Sequence, residues 1–470
     1  MGVGVSGWRL AQAVSKRGHL GVVAGTALDV MLARRLQNGD PGGHMAWAIA
    51  HFPYVEIARR VWEQYFLAKG KRAVQPFKPV PMHSLNPPRA LVELTVLASF
   101  VEVLLAKSGH HGVVGINQLA KIQFPTLPSL FGAMLAGVDY VLMGAGIPRA
   151  IPGVLDGLAA GEAVQLKVEV EEAGGDDEWT MQFDPQDFCG GRPVLKRPRF
   201  LPIISSATLA IALVKKSSGR VDGFVVEGSL AGGHNAPPRG GVQLSEQGEP
   251  IYGEKDVADL DKIKALGLPF WLAGNFAGPE KLREAEQLGA AGVQVGTAFA
   301  FSDESGIEPG IKRRVLEGVW NGTAEVFTDP LASPTGYPFK VVRHVDGTVT
   351  ELSAMEPRNR TCDLGYLRHA YKKEDGSLGY RCPAEPVESF VRKGGHAEDT
   401  LGRVCLCNGL LATAGLPQWH EGSGVEPPIV TAGDFLLQLK HFLAKEKLHY
   451  SAHEVIDWLL SAADPEMVTT

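Results

Sequence analysis

The chain has 470 residues, and 46 Lys and Arg stand against 52 Asp and Glu for a formal net charge of −6. That balance excludes the basic excess that draws nucleic acid or anionic lipid, and a 45% apolar share excludes an unfolded chain. The 56 glycines exceed the usual ~7% and fall at the ends of apolar runs, the composition of many strand-to-loop transitions.

In chain order, Met1–Ser6 precedes a predicted helix over 7–17 and offers only a clipped strand. Short apolar runs follow at 20–25, 112–117, 138–144, 200–205, 221–227, 269–273 and 292–295, each closed by a small or polar residue. Continuous apolar runs of four to seven residues read as parallel strands buried on both faces. Helical patterns after several of them, at 128–135, 208–216 and 279–288, make repeated βα units. With Met1–Ser6 counted as the first strand, the expectation is an α/β TIM (β/α)8 barrel whose first strand is incomplete, from a late start or an imperfect closure.

Two insertions break the spacing. The first, 29–86 after strand two, carries Ala58, Val61, Trp62 and Tyr65 at helical spacing and the Pro-rich stretch 76–88. The second, 164–188 before strand five, alternates like a polar hairpin. After residue 325 the βα pattern stops and four of the five cysteines appear. The chain therefore divides into a barrel, 1–325, and a C-terminal mixed or helical extension, 326–470. Thr431 with Asp434 and Ser451 with Glu454 have capping-box spacing before two closing helices. Five cysteines make no disulfide scaffold, and no uninterrupted apolar run reaches the ~18 to 20 residues of a membrane helix. Lys16 and Arg17 before 20–28 imitate a signal peptide faintly, but the run holds Gly21, Gly25 and Thr26 and no small-residue cleavage site follows. A reducing, cytoplasmic compartment is expected, with neither nucleic acid nor membrane as a partner.

Chemistry concentrates at the carboxyl ends of the later strands. The loop 227–235 carries Gly232-Gly233-His234 where barrel enzymes build their sites, and imidazole suits proton transfer near neutral pH. A loop histidine satisfied by backbone is the plain alternative. Gly274 after one strand, with Gly296 and the Thr297 hydroxyl after the next, has the small residues and exposed N–H groups of a phosphate site. Arg239, on the Pro-stiffened loop 235–241, suits an anionic substrate or is simply a surface arginine, and Lys121 reads as a solvated lysine. Cys362, Cys382, Cys405 and Cys407 have the donors for tetrahedral zinc or an iron–sulfur cluster, but their spacing lacks paired C-x-x-C knuckles. Reduced cysteines in a compact module are the simpler reading. If the four thiols converge, a structural metal ranks ahead of a redox role. Cys189 has no evident partner, and the sequons at Asn321 and Asn359 carry no weight without a secretion signal.

Taken together, Gly4-Val5-Ser6, Gly115-Ile116-Asn117, Ala231-Gly232-Gly233-His234, Ala273-Gly274 and Gln294-Val295-Gly296-Thr297 resemble the nitronate monooxygenase family, once called 2-nitropropane dioxygenases and related to flavin-dependent enoyl-ACP reductases. Ala332-Ser333-Pro334-Thr335-Gly336 resembles its post-barrel segment. The resemblance covers residues 1 to about 340 and implies an FMN-dependent barrel with His234 as the proton-handling residue. By position it implies flavin contacts at Gly2, Val3, Gly4, Asn117, Glu227, Gly232, Gly233, Gly274, Gln294, Val295, Gly296 and Thr297. Glu227 replaces a frequent glutamine, Leu230 a glutamate and Asn275 a glycine; a carboxylate at 227 disfavours an anionic reduced flavin.

The activity this implies is oxidation of an anionic alkyl nitronate with O2. The competing reading is an NAD(P)H-dependent flavin reductase of enoyl thioesters, and the third is a non-catalytic assembly protein. Oligomeric state is open.

Overall fold

The computed structural model describes residues 2–175, 177–350 and 359–461. Seven strands form one sheet: β1 (Gly21–Ala24), β2 (Val114–Leu119), β3 (Tyr140–Gly144), β4 (Arg199–Ile204), β5 (Phe224–Glu227), β6 (Phe270–Ala273) and β7 (Gly292–Gln294). They lie side by side in chain order, all parallel, in registers such as Ala24 beside Asn117, Leu142 beside Leu201, and Glu227 beside Ala273.

Alternation along these strands feeds two cores, because successive side chains point to opposite faces. Val23, Ile116, Val141, Phe200, Phe224 and Leu272 face the helices in the large core. Leu142, Leu201, Ile203, Val225 and Ala273 form a separate cluster, joined by Val22 of β1 and Trp271 of β6. Side chains of the first and sixth strands meet there only because the sheet curls around them. The fold is thus α/β with a curled, seven-stranded parallel sheet.

The expected first strand is not there: residues 2–6 make a turn, with Val5 N–H donating to Gly2 O and Gly4 at φ +68°. Met1 lies outside the described residues. Even so, the segment is seated beside the sheet. Ala24 N–H donates to Ser6 O at 2.8 Å, Ser6 Oγ donates to Val22 O at 2.5 Å, and Gly306 N–H donates to Val5 O at 2.8 Å. Its exit is fixed by helix α1 (Trp8–Lys16), whose first N–H donates to the buried carboxylate of Glu102 at 2.8 Å, replacing the side-chain cap that Gly7 cannot supply. Glu102 belongs to α2 (Arg89–Lys107), a helix buried on nearly all sides. Among the described residues no helix is long and apolar enough to cross a membrane.

Residues 164–167 pair antiparallel with 180–183, and Val55–Tyr65 is a helix that buries Ala58, Val61 and Tyr65. After residue 325, β8 (Glu325–Asp329) pairs antiparallel with β9 (Phe339–Arg343). Val342, Val430, Phe435 and Tyr450 share a core with Ala298, Phe301 and Val315. One capping expectation is corrected. Ser451 and Glu454 form their box, but the segment opened by Thr431 is a 3₁₀-helix, Asp434–Phe442, capped at Gly433. Thr431 Oγ1 is buried without a hydrogen bond, since its residue lies two positions ahead of the actual cap. Residues 351–358 and 462–470 lie outside the described set.

Candidate active site

The loop after β5 is pinned from two directions. On one side, Asn235 N–H donates to Pro338 O and Lys340 N–H to Gly233 O, both at 2.9 Å, so 233–235 runs as a short antiparallel bridge against β9. On the other, Asp434 N–H donates to Leu230 O, and a Cβ on Gly232 would stand 2.7 Å from the Gly433 nitrogen. Only a residue without a side chain lets the two backbones approach this closely.

His234 sits inside that clamp. Its Nε2 is 2.6 Å from Ser333 Oγ, and its ring packs edge-on against Phe339 at 4.8 Å. Burial pushes the imidazole down to about 3, so it is neutral at physiological pH. The partners set its tautomer. Tyr337 N–H donates to Thr335 Oγ1, which lies 2.8 Å from Ser333 Oγ. The arrangement that uses every hydroxyl proton within the protein runs Thr335 to Ser333 to His234 Nε2, leaving the proton on Nδ1.

Glu227 closes β5, and burial pushes its carboxyl up to about 7. A carboxyl that is half protonated at neutral pH puts less negative charge beside a bound anion than an ordinary glutamate does.

Gly274 and Asn275 follow β6 with φ +89° and +63°, two consecutive left-handed residues. Asparagine is among the few side chains that adopt this region readily, which explains how Asn275 replaces a glycine. Its Oδ1 accepts from Gln438 Nε2 at 3.2 Å. Gly296 is open, with nothing within 4 Å of a Cβ placed there, and Thr297 Oγ1 accepts the Gly433 N–H at 2.8 Å. Gln294 and Val295 lead into this turn and are partly buried. Gly2 is partly buried and Val3 and Gly4 are buried, in the turn seated beside β1.

Asn117 lies on β2 with its Oδ1 buried and unpartnered. An orphaned acceptor of this kind costs about 1–3 kcal/mol unless a ligand satisfies it. That oxygen, the open backbone at Gly296, and the near-neutral Glu227 carboxyl fit a planar ligand with donors on its edge and an anionic end, which is what a flavin mononucleotide presents.

Other expected residues have different surroundings. Arg239 is exposed, and its guanidinium donates to the backbone carbonyls of Ser205 and Lys255. Lys121 pairs with exposed Glu169. Cys362, Cys382, Cys405 and Cys407 converge on one small cavity in the tail. Among the described residues, no three His, Cys, Asp or Glu side chains are grouped to hold a single metal ion.

Sequence reasoning did not pair Ser333 with His234, 99 residues away, or find Lys340. The Lys340 ammonium is buried beside the Gly233 carbonyl strand and donates to Thr328 Oγ1 at 2.9 Å and Asp434 Oδ1 at 2.6 Å. No local spacing announces either contact.

Residues 197–333 match the family model described as nitronate monooxygenase. In this stretch the chain is similar to the nitronate monooxygenase family. The matched stretch runs from β4 to Ser333 and so contains Glu227, His234 and the 274 and 296 loops. A probable nitronate monooxygenase of Bacillus subtilis is 34% identical over 113 residues, covering 24% of this chain and 30% of the relative. A (3aS,4S,5R,7aS)-5-hydroxy-7a-methyl-1-oxo-octahydro-1H-indene-4-carboxyl-CoA dehydrogenase of Mycobacterium tuberculosis is 30% identical over 141 residues, 30% of this chain and 35% of that one. The match thus spans about a third of the length of these curated relatives. The solved nitroalkane oxidase of Streptomyces ansochromogenes is 13% identical, covering 98% of this chain and 92% of its own, with a TM-score of 0.43.

Proposed function

We propose that the protein is a flavin-dependent oxidoreductase that binds FMN across the carboxyl end of the sheet and oxidises an alkyl nitronate with O2. Gly2, Val3 and Gly4 would lie beside the ring with Asn117, while Gly232, Gly233, Gly274 and Gln294 to Thr297 would hold the ring edge and phosphate. On this reading the seven strands and the seated 2–6 segment do the work of a closed eight-stranded barrel, and 1–325 acts as the catalytic unit beneath the 326–470 extension. A bound flavin supplies the electron acceptor for the substrate and the route to O2.

The observation that carries the substrate choice is the state of His234. A neutral imidazole held down to about 3 is a weak base for removing a carbon proton from a nitroalkane. With Nε2 occupied by Ser333, it presents Nδ1–H as a donor. A nitronate arrives already deprotonated and needs only such a donor to hold its oxygen. Arg239 remains a contact for the substrate anion only if it leaves its two carbonyl partners.

A second reading rests on the Mycobacterium relative, whose name specifies a carboxyl-CoA substrate. There, reduction of an enoyl thioester with NAD(P)H needs a proton donor, and Glu227, titrating near 7, would be the group to supply it.

The test is the visible spectrum of the FMN-reconstituted chain without oxygen, with NADH, NADPH and ethylnitronate added separately. Loss of the flavin absorbance with nitronate, then nitrite release in air, is the expected result. Bleaching by a nicotinamide and not by nitronate selects the thioester reductase, and failure to retain FMN overturns both.

A further inference from the structure

Four of the five cysteines come from three separate pieces of the tail. Cys362 lies on a loop, Cys382 follows the strand Leu378–Arg381, and Cys405 and Cys407 open the helix Leu406–Thr413. All four line one cavity, with Pro334, Leu364 and Leu367 among its apolar walls. Cys382 and Cys405 are buried and the other two half-buried.

Apart from the sulfurs, the cavity is walled by Pro334, Leu364, Gly365, Leu367, Ala384 and Leu406, with no carboxylate among them. Thiolates here need positive charge and N–H donors. The donors are in place: Asn408 Nδ2 stands 3.7 Å from Cys405 Sγ, and the Ala384 N–H donates to Cys382. The guanidinium groups of Arg368 and Arg403 lie close enough to interact with Cys362 and Cys382.

The arrangement also discriminates between ligands. A single tetrahedral zinc at about 2.3 Å draws its four sulfurs to within about 4 Å of one another, and no such grouping is present among the described residues. An iron–sulfur cluster spreads its thiolates over two or four iron atoms and accepts sulfurs set further apart around an apolar cavity. We propose that Cys362, Cys382, Cys405 and Cys407 hold an iron–sulfur cluster in the tail. The cluster ties three segments together directly behind Pro334. Its neighbour Ser333 is the hydroxyl partner of His234, and Arg403 donates to the Ser333 carbonyl at 2.6 Å. The role assigned is structural: a preassembled cluster brings its own iron and sulfide, and each thiol releases a proton as its sulfur binds iron, with no change of oxidation state. This inference is independent of the flavin reading.

The experiment uses the full chain, produced with iron and sulfide supplied and purified without oxygen. Iron, acid-labile sulfide and zinc are measured per chain, and the dithionite-reduced protein is examined by electron paramagnetic resonance. The expected result is equal iron and sulfide, at least two of each per chain as the cluster requires. Cys362→Ser and Cys407→Ser should lose at least five-fold in both, and Cys189→Ser neither. One zinc per chain without sulfide overturns the proposal, as does metal-free protein whose cysteines all titrate as thiols after unfolding. Because the unmodified chain decides the metal question, a variant that fails to fold does not blunt the test.

Discussion

Replacing Glu227 with glutamine should stabilise the cofactor-free protein, and only on the alkaline side. In the folded chain this carboxyl ionises near pH 7, against about 4.5 when unfolded, because burial strips the carboxylate of water. Below about pH 4.5 both states hold the proton and the group is neutral in its effect. Between 4.5 and 7 the unfolded chain releases the proton while the folded one keeps it, so stability falls as pH rises; above 7 the deficit is complete. At 1.36 kcal/mol per pH unit the deficit is about 3 kcal/mol, an upper figure because the side chain retains some exposure. For a chain of this length the unfolding entropy is about 1 kcal/mol per kelvin, so the deficit corresponds to roughly 3 °C. Glutamine keeps the shape and has no proton to lose. Differential scanning calorimetry of both proteins at pH 4.5, 6 and 8 should show midpoints that coincide at the acid end and separate by roughly 3 °C at pH 8. A separation that is constant across the range would refute the assignment of a raised, burial-controlled carboxyl.

Four further outcomes follow from the geometry. Ser333→Ala removes the hydroxyl that fixes the His234 tautomer, so turnover of the nitronate should fall on the order of ten-fold, with flavin content unchanged; Ser333→Thr should restore part of it. Asn117→Ala deletes an unsatisfied buried oxygen, so cofactor-free stability should rise, by up to about 1–3 kcal/mol, while FMN affinity measured by fluorescence titration drops; a variant that binds FMN normally would remove Asn117 from the site. Gly232→Ala drives a Cβ to 2.7 Å from the Gly433 backbone and should cost about 1–3 kcal/mol, read as new proteolysis near 432–434. Gly296→Ala meets open space, so it should leave the thermal midpoint unchanged and weaken FMN binding, and equal affinity would show that the backbone there does not meet the ligand.

Much of the sheet was legible because strands buried on both faces have no choice but to be continuously apolar, and all seven runs found in the sequence are strands. Helix α2 escaped notice for a related reason. Buried on nearly all sides, it has no polar stripe to reveal its period, and its carboxylates Glu93 and Glu102 are spent on arginines and a helix end. The Thr431 cap misled because T-x-x-D spacing says nothing about whether the threonine reaches the helix start. At the site, Gly-Gly-His at a strand end drew attention to His234 as a proton-handling candidate, but its tautomer and low proton affinity come from Ser333 and from burial, which only the folded chain brings together. The same holds for the cysteines, whose spacing concealed their convergence on one cavity.

The clamp around His234 has a consequence for the order in which the molecule is made. The loop at 228–235 is closed by residues 333–340 on one side and by 432–434 on the other. The second of these leaves the ribosome about 200 residues after His234, roughly 10–40 s later at ordinary rates of synthesis. Throughout that interval the strands are present while the mouth of the sheet stands uncovered. A ligand reaching the carboxyl ends of β5 to β7 during synthesis meets the 228–235 loop before its second clamp exists, whereas one arriving afterwards meets that loop already fixed.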